Sequence, residues 1–223
     1  FPHWFRDLAA YRKAVFISGA AREDAREVAR DTGRPVPEGP VLVLGADYRD
    51  REPDRSRNPA GKPVLLNVGI LEPRKGQAIL LEAAERLWAE GLDFQVVFLG
   101  RVNPHFGAPI QRRIHELQAQ GRDIVHEPGA GDDRLAHWHR RAALTVLPSR
   151  AEGFGLPVLE SLWAGCPVLC SEQPSLEVLS DRSGIEVLDQ VDAESLAGSL
   201  RGFLKDRERL ANLSAGIIPE RLP

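Results

Sequence analysis

Between Val64 and Leu204 the chain alternates short, uninterrupted apolar runs with longer stretches whose apolar residues recur three and four positions apart. The runs predict strands at Val64–Val68, Gln95–Leu99, Ile124–His126, Leu144–Leu147, Val168–Cys170 and Ile185–Leu188. The stretches between them predict helices over Gln77–Glu90, Ile110–Gln120, Arg134–Ala142, Leu156–Ala164 and Ala193–Leu204, with a weak helical turn near Ser175–Leu179. In the first of these, Leu80, Ala84, Leu87 and Trp88 form one stripe. The strands are continuously apolar rather than alternating, as a parallel sheet covered on both faces requires. The expected fold is therefore α/β: a doubly wound, Rossmann-like parallel sheet from about Pro63 onward.

The first residues read differently. Val15–Ser18 and Val41–Gly45 predict two strands, with a helix over Arg22–Arg30 between them. Asp47–Pro63 is polar and Arg-rich, contains Pro53, Pro59 and Gly61, and has no periodicity, so it reads as a linker. Two strands and a helix cannot bury a core alone. Residues 1–58 are thus expected to be the tail of an earlier α/β domain plus linker, and 59–223 a domain of their own. The absence of any methionine fits a chain that begins inside a longer protein.

Composition narrows the function classes. Hydrophobic residues make up 43% and charged residues 27% of the 223 positions, which excludes disordered and fibrous chains. No apolar run is long enough to span a membrane. A net charge of −3 argues against a nucleic-acid partner held by a general basic field. Arginines outnumber lysines 25 to 4, a compositional habit that gives a single Arg little weight by itself. Cys166 and Cys170 are not spaced as Cys-x-x-Cys and lie in apolar sequence, so buried free thiols and a cytoplasmic setting are expected.

Ligands of an open parallel sheet bind beyond the carboxyl ends of its strands. Two strand-to-helix loops there carry chemistry: Gly69-Ile70-Leu71-Glu72-Pro73-Arg74-Lys75-Gly76, and Pro148-Ser149-Arg150-Ala151-Glu152-Gly153-Phe154-Gly155-Leu156-Pro157. Gly153 and Gly155 allow close backbone approach, and Pro157 suits a first helical turn. The amides of that turn favour an anion or a polar oxygen. Glu152 and Glu160 bracket the turn, and paired carboxylates can accept from vicinal hydroxyls. The structural alternative is a Glu152 that complements the helix dipole and a Glu160 paired with a nearby Arg. Arg74 and Lys75 precede a helix whose dipole they oppose, which points to an anion beside them.

EGFGLPVLE from Glu152 to Glu160, with Pro148-Ser149 before it and Ala164-Gly165-Cys166-Pro167-Val168 after it, resembles the Glu-x7-Glu region of retaining group 1 glycosyltransferases of GT-B fold. GILEPRKG resembles the GTLEPRKN element of bacterial mannosyltransferases in that group. The resemblance runs from about Val64 to Leu204, the donor-binding domain, while residues 1–47 resemble the end of the acceptor-binding domain. It implies that Glu152 faces the donor hexose and that the amides around Gly153, Phe154, Gly155 and Leu156 cradle sugar and phosphate. It also implies that Glu160 accepts from the ribose diol and that Arg74 and Lys75, beside Gly69, neutralise the diphosphate. Glu127, Pro128 and Gly129 would flank the nucleobase. Two departures stand out: Ile70 replaces an Arg common in the group, and Cys166 replaces a Thr. No residue here matches the acceptor-side catalytic position.

The implied reaction moves a hexose, with mannose favoured, from GDP-mannose or a UDP-sugar to a glycan or lipid-linked acceptor, with retention and without a metal or cofactor. The resemblance places it in the cytoplasm, with peripheral membrane contact through the acceptor domain, and leaves residues 1–223 alone unable to transfer sugar. Rival readings are a non-catalytic nucleotide-sugar binding module and a GT-B epimerase or phosphorylase. A dinucleotide oxidoreductase is disfavoured, because neither Gly69 nor Gly100 opens a Gly-x-Gly-x-x-Gly pattern. His137 and His139 do not share a helix face as a metal pair would, and exposed positions are expected for both. His105 lies on a loop near the expected cleft.

Overall fold

The computed structural model describes residues 7, 10–45, 59, 61–179 and 182–222. Its centre is one six-stranded sheet: β1 Val64–Val68, β2 Gln95–Leu99, β3 Ile124–Glu127, β4 Leu144–Leu147, β5 Val168–Cys170 and β6 Ile185–Val187. Every pairing is parallel and the order is β3-β2-β1-β4-β5-β6. The winding reverses between β1 and β4, and the carboxyl ends of strands at such a switch point are where open parallel sheets bind ligands.

Seven helices are described: α1 Gly19–Thr32, α2 Gln77–Ala89, α3 Ala108–Ala119, α4 Asp132–Arg141, α5 Leu156–Trp163, α6 Ala193–Lys205 and α7 Arg207–Ala215. Successive strand residues serve opposite faces. Leu65, Val96, Phe98, Leu144 and Leu169 pack with residues of α2, α3 and α6. Val64, Leu66, Val97 and Leu99 pack with Trp138 and Ala142 around α4. A third cluster joins Leu147, Val168 and Cys170 to Val158, Leu159 and Leu162 of α5. Both faces are covered, which is why the strands show no polar alternation.

Several boundaries differ from those expected. Val15–Ser18 and Val41–Gly45 are not strands; they meet at one parallel bridge, Phe16 to Val41. Phe16 alone of the flanking apolar residues is buried, while Val15, Ile17, Leu42 and Val43 are exposed. Helix α1 starts three residues earlier than Arg22 because the Ser18 hydroxyl caps it, accepting from the Ala21 amide. The turn near Ser175 is a 3-10 helix, Pro174–Val178. Helix α7 was not expected; the Asp206 carboxylate starts it by accepting from the Arg209 amide. The proposed linker and the 58/59 boundary lie largely outside the described residues.

Both cysteines are buried, as expected. Burial pushes the Cys170 thiol up to about 12. A thiolate-directed reagent at pH 8 is therefore expected to leave both cysteines unlabelled in the folded protein and to label two per chain in denaturant. Rapid labelling of the native chain would contradict this packing.

Candidate functional site

The loop after β1 is held from below and from the side. Gly69 leaves the strand at φ 150, and its amide donates to Leu99 O (2.8 Å). The Leu71 amide donates to Arg101 O (2.8 Å), and the Asn103 amide donates to Leu71 O (3.1 Å). Gln77, fully buried at the start of α2, donates from Nε2 to Ile70 O (3.0 Å) and accepts at Oε1 from the Glu72 amide (3.3 Å). A 3-10 turn, Pro73–Lys75, then ends at Gly76 with φ 71. A Cβ on Gly76 would stand 1.9 Å from Pro148 O, so the loops after β1 and β4 touch backbone to backbone.

The loop after β4 is tied to the first. The Arg150 amide donates to Arg74 O (2.7 Å), and Arg74 Nη1 donates to Ala151 O (3.1 Å). The Ser18 hydroxyl, from the segment preceding α1, donates to Gly153 O (3.0 Å). Phe154 is buried in the α5 cluster and anchors the loop. Gly155 precedes α5 at φ 91, and no side chain caps that helix, whose first residues are Leu156 and Pro157. Its first-turn amides suit an anion or a sugar oxygen.

These two loops bring Arg74, Lys75 and Glu152 together across 77 residues of sequence. Lys75 Nζ donates to both Glu152 oxygens at 2.7 Å, with the two side chains only 13% and 9% exposed. Arg74 reaches Glu152 Oε2 at 3.4 Å and pairs through Nε with Glu72 Oε1 at 2.6 Å. Asn103 Nδ2 donates to the other Glu72 oxygen (2.9 Å). The anion that the Arg74–Lys75 pair called for is thus supplied within the chain, by Glu152 and Glu72. The cluster offers carboxylate oxygens for hydroxyls and cationic donors for phosphates, side by side.

The other expected residues fall on neighbouring elements. Glu160 is half-buried on α5, one turn beyond Leu156. Glu127 ends β3, and Pro128 and Gly129 form the turn after it. The Glu127 carboxylate accepts from Arg134 Nε (3.0 Å) and Trp138 Nε1 (3.0 Å) and also pairs with Arg134 Nη2. The Arg134 guanidinium beside it holds Glu127 below the usual carboxylate range. That side chain fastens α4 to the sheet edge, so the backbone after it is what faces outward. Of the histidines, His105 and His137 are exposed, whereas His139, expected outside, is buried beside Trp138. Among the described residues no group of three or more His, Cys, Asp or Glu could hold a metal ion.

Sequence reading missed Gln77, Glu72, Asn103 and Ser18. Only Gln77 left a signal. It is a polar residue on the stripe shared with Leu80, Leu81 and Ala84, a position that must be buried and therefore bonded.

Comparison with known proteins identifies the family. Residues 49–217 match the family Glycosyl transferases group 1. The serotype-specific mannosyltransferase WbdA of Escherichia coli is 27% identical over 189 residues, covering 78% of this chain and 23% of that protein. A D-inositol 3-phosphate glycosyltransferase of Thermobispora bispora is 36% identical over 168 residues, covering 72% and 39%. The chain thus spans well under half of either relative. Among solved structures, sucrose-phosphate synthase of Thermosynechococcus elongatus superposes with a TM-score of 0.74 at 22% identity, covering 98% of this chain and 55% of that one. TarM of S. aureus, solved in a complex that includes UDP, superposes with a TM-score of 0.72 at 13% identity, covering 97% and 41%. With the family model matched across residues 49–217 and the fold in agreement, the chain belongs to the group 1 glycosyltransferases.

Proposed function

We propose that this chain carries the nucleotide-sugar site of a retaining hexosyltransferase, with the donor diphosphate at Arg74 and Lys75 and the hexose at Glu152. The observation that carries the reading is the Lys75–Glu152–Arg74 cluster at the point where the winding of the sheet reverses. Charge on a departing diphosphate must be held as the sugar leaves, and Lys75 and Arg74 are fixed in advance for that task. The amides before α5 would take sugar and phosphate oxygens, Glu160 the ribose hydroxyls, and the backbone from Glu127 to Gly129 the base. No metal or cofactor enters this scheme, and the acceptor, a glycan or lipid-linked sugar, would be held by other parts of the protein. Mannose is the favoured hexose because of the GILEPRKG loop and the similarity to a mannosyltransferase. The similarity to D-inositol 3-phosphate glycosyltransferases keeps other hexoses, and a UDP-sugar donor, as the second reading.

Calorimetry with GDP, UDP and ADP against their nucleosides tests the reading. Tight binding of one diphosphate and weak binding of its nucleoside supports it; binding of none removes it. Glu160 gives a finer test. Glu160→Gln is expected to lower ribonucleotide affinity about ten- to a hundredfold, as a lost charged hydrogen bond would. The 2′,3′-dideoxy analogue should lose little. An unchanged preference for ribose in a well-folded variant would remove Glu160 from the site.

A further inference from the structure

Pairing inside the cluster leaves it without net charge. Lys75 is matched by Glu152 and Arg74 by Glu72 and Glu152, so two cations face two carboxylates. Position 70, next to the loop glycine, is an isoleucine and adds nothing. Two phosphates arriving at this point would meet cations whose charge is already balanced by largely buried acids. Their neutralisation needs a further cation close by.

Two exposed arginines are joined to the first loop through their backbones. The Arg101 carbonyl accepts from the Leu71 amide (2.8 Å), which ties it to the loop three residues before Arg74. Arg150 is held closer. Its amide donates to the Arg74 carbonyl (2.7 Å), and the carbonyl of the next residue, Ala151, accepts from the Arg74 guanidinium (3.1 Å). Its backbone is therefore clamped to Arg74 on both sides, on the same loop that bears Glu152. Arg150 is exposed, and among the described residues its guanidinium has no ion-pair or hydrogen-bond partner. Composition gave a single arginine no special weight; this placement does.

We propose that Arg150 is a further phosphate-binding residue of the nucleotide-sugar site, supplying the positive charge that the internally paired Arg74 and Lys75 lack. This rests on the donor-site reading above. A planar fork of donors suits phosphate oxygens, and exposure leaves the side chain free to meet them.

Calorimetry of residues 1–223 with GDP, UDP, guanosine and uridine, at low and high salt, tests it. Arg150→Ala is expected to weaken binding of the preferred diphosphate about tenfold, to leave the nucleoside within twofold, and to flatten the salt dependence. Arg150→Lys should recover most of the loss, since the charge returns without the fork. Arg101→Ala should change the diphosphate affinity less than Arg150→Ala does. Melting curves should be unmoved in all three, because both residues are on the surface. Equal affinity and equal salt dependence in parent and Arg150→Ala would overturn the assignment, as would a larger loss in Arg101→Ala. If the parent binds neither diphosphate, the donor-site reading itself fails and the role of Arg150 falls with it.

Discussion

Lys75→Ala is expected to weaken nucleoside diphosphate binding ten- to a hundredfold and to destabilise the fold by about 3 kcal/mol. The first effect is the loss of a charge-assisted contact to phosphate. The second follows from what the ammonium leaves behind. Glu152 is only 9% exposed, and among the described residues its remaining cation would be Arg74, at 3.4 Å and itself 48% exposed. Removing one partner of a largely buried pair costs about 3 kcal/mol or more. In a chain of this size that lowers the melting temperature by roughly 6–12 °C. Glu152→Gln separates the two roles. It should cost comparable stability, because Lys75 then lacks its anion, but diphosphate affinity should hold or rise, because the ammonium is released toward phosphate. Affinity for the whole nucleotide sugar should nevertheless fall through loss of the hexose contact. Calorimetry and thermal melts of both variants decide the matter. Equal losses of diphosphate affinity in the two would reduce the pair to a brace between loops.

The legible parts of this fold are those where burial is complete. Val64, Leu65 and Leu66 are all within 1% of full burial, on alternate faces, so a run without alternation could only be an internal strand. Apolar sequence misled where that condition failed. Val15–Ser18 and Val41–Gly45 look like strands, yet of their apolar residues only Phe16 is buried, and only Leu44, itself partly buried, packs against the α5 cluster. Helix α7 was silent for the opposite reason. It buries no residue fully, and only Leu210 and Leu213 lean on the cluster around α6. His139 is buried for a reason that its spacing from His137 does not carry. Four residues after Leu135, and adjacent to Trp138, it belongs to the inward face of α4.

In the site, the chemistry was legible but the pairing was not. Arg74, Lys75 and Glu152 each stood out by residue type and loop position. Nothing local tells that Lys75 and Glu152 neutralise each other, because the contact is made by β1 and β4 lying side by side. The sequence suggested a ligand anion for the cationic pair, and the fold supplies a resident one. A donor bound as proposed would therefore compete with Glu152 for Lys75.

Gly76→Ala is expected to cost about 3–4 kcal/mol and to abolish tight diphosphate binding. Two terms add. Gly76 sits at φ 71, where a Cβ costs about 1 kcal/mol. That Cβ would also stand 1.9 Å from Pro148 O and 2.8 Å from its carbonyl carbon. These are backbone atoms, so relief requires moving the loop that carries Glu152, at a further cost of about 2–3 kcal/mol by the scale of overpacked cores. The displacement would also part the Lys75 and Glu152 side chains. Gly91→Ala supplies the reference. Gly91 has a similar φ, 83, but a Cβ there would meet nothing within 4 Å, so only the conformational term of about 1 kcal/mol applies. The difference between the two variants in denaturant unfolding isolates the contact between the loops. If Gly76→Ala is no more costly than Gly91→Ala and still binds diphosphate, the loops do not meet at this point, and the geometry proposed for Lys75 and Glu152 loses its support.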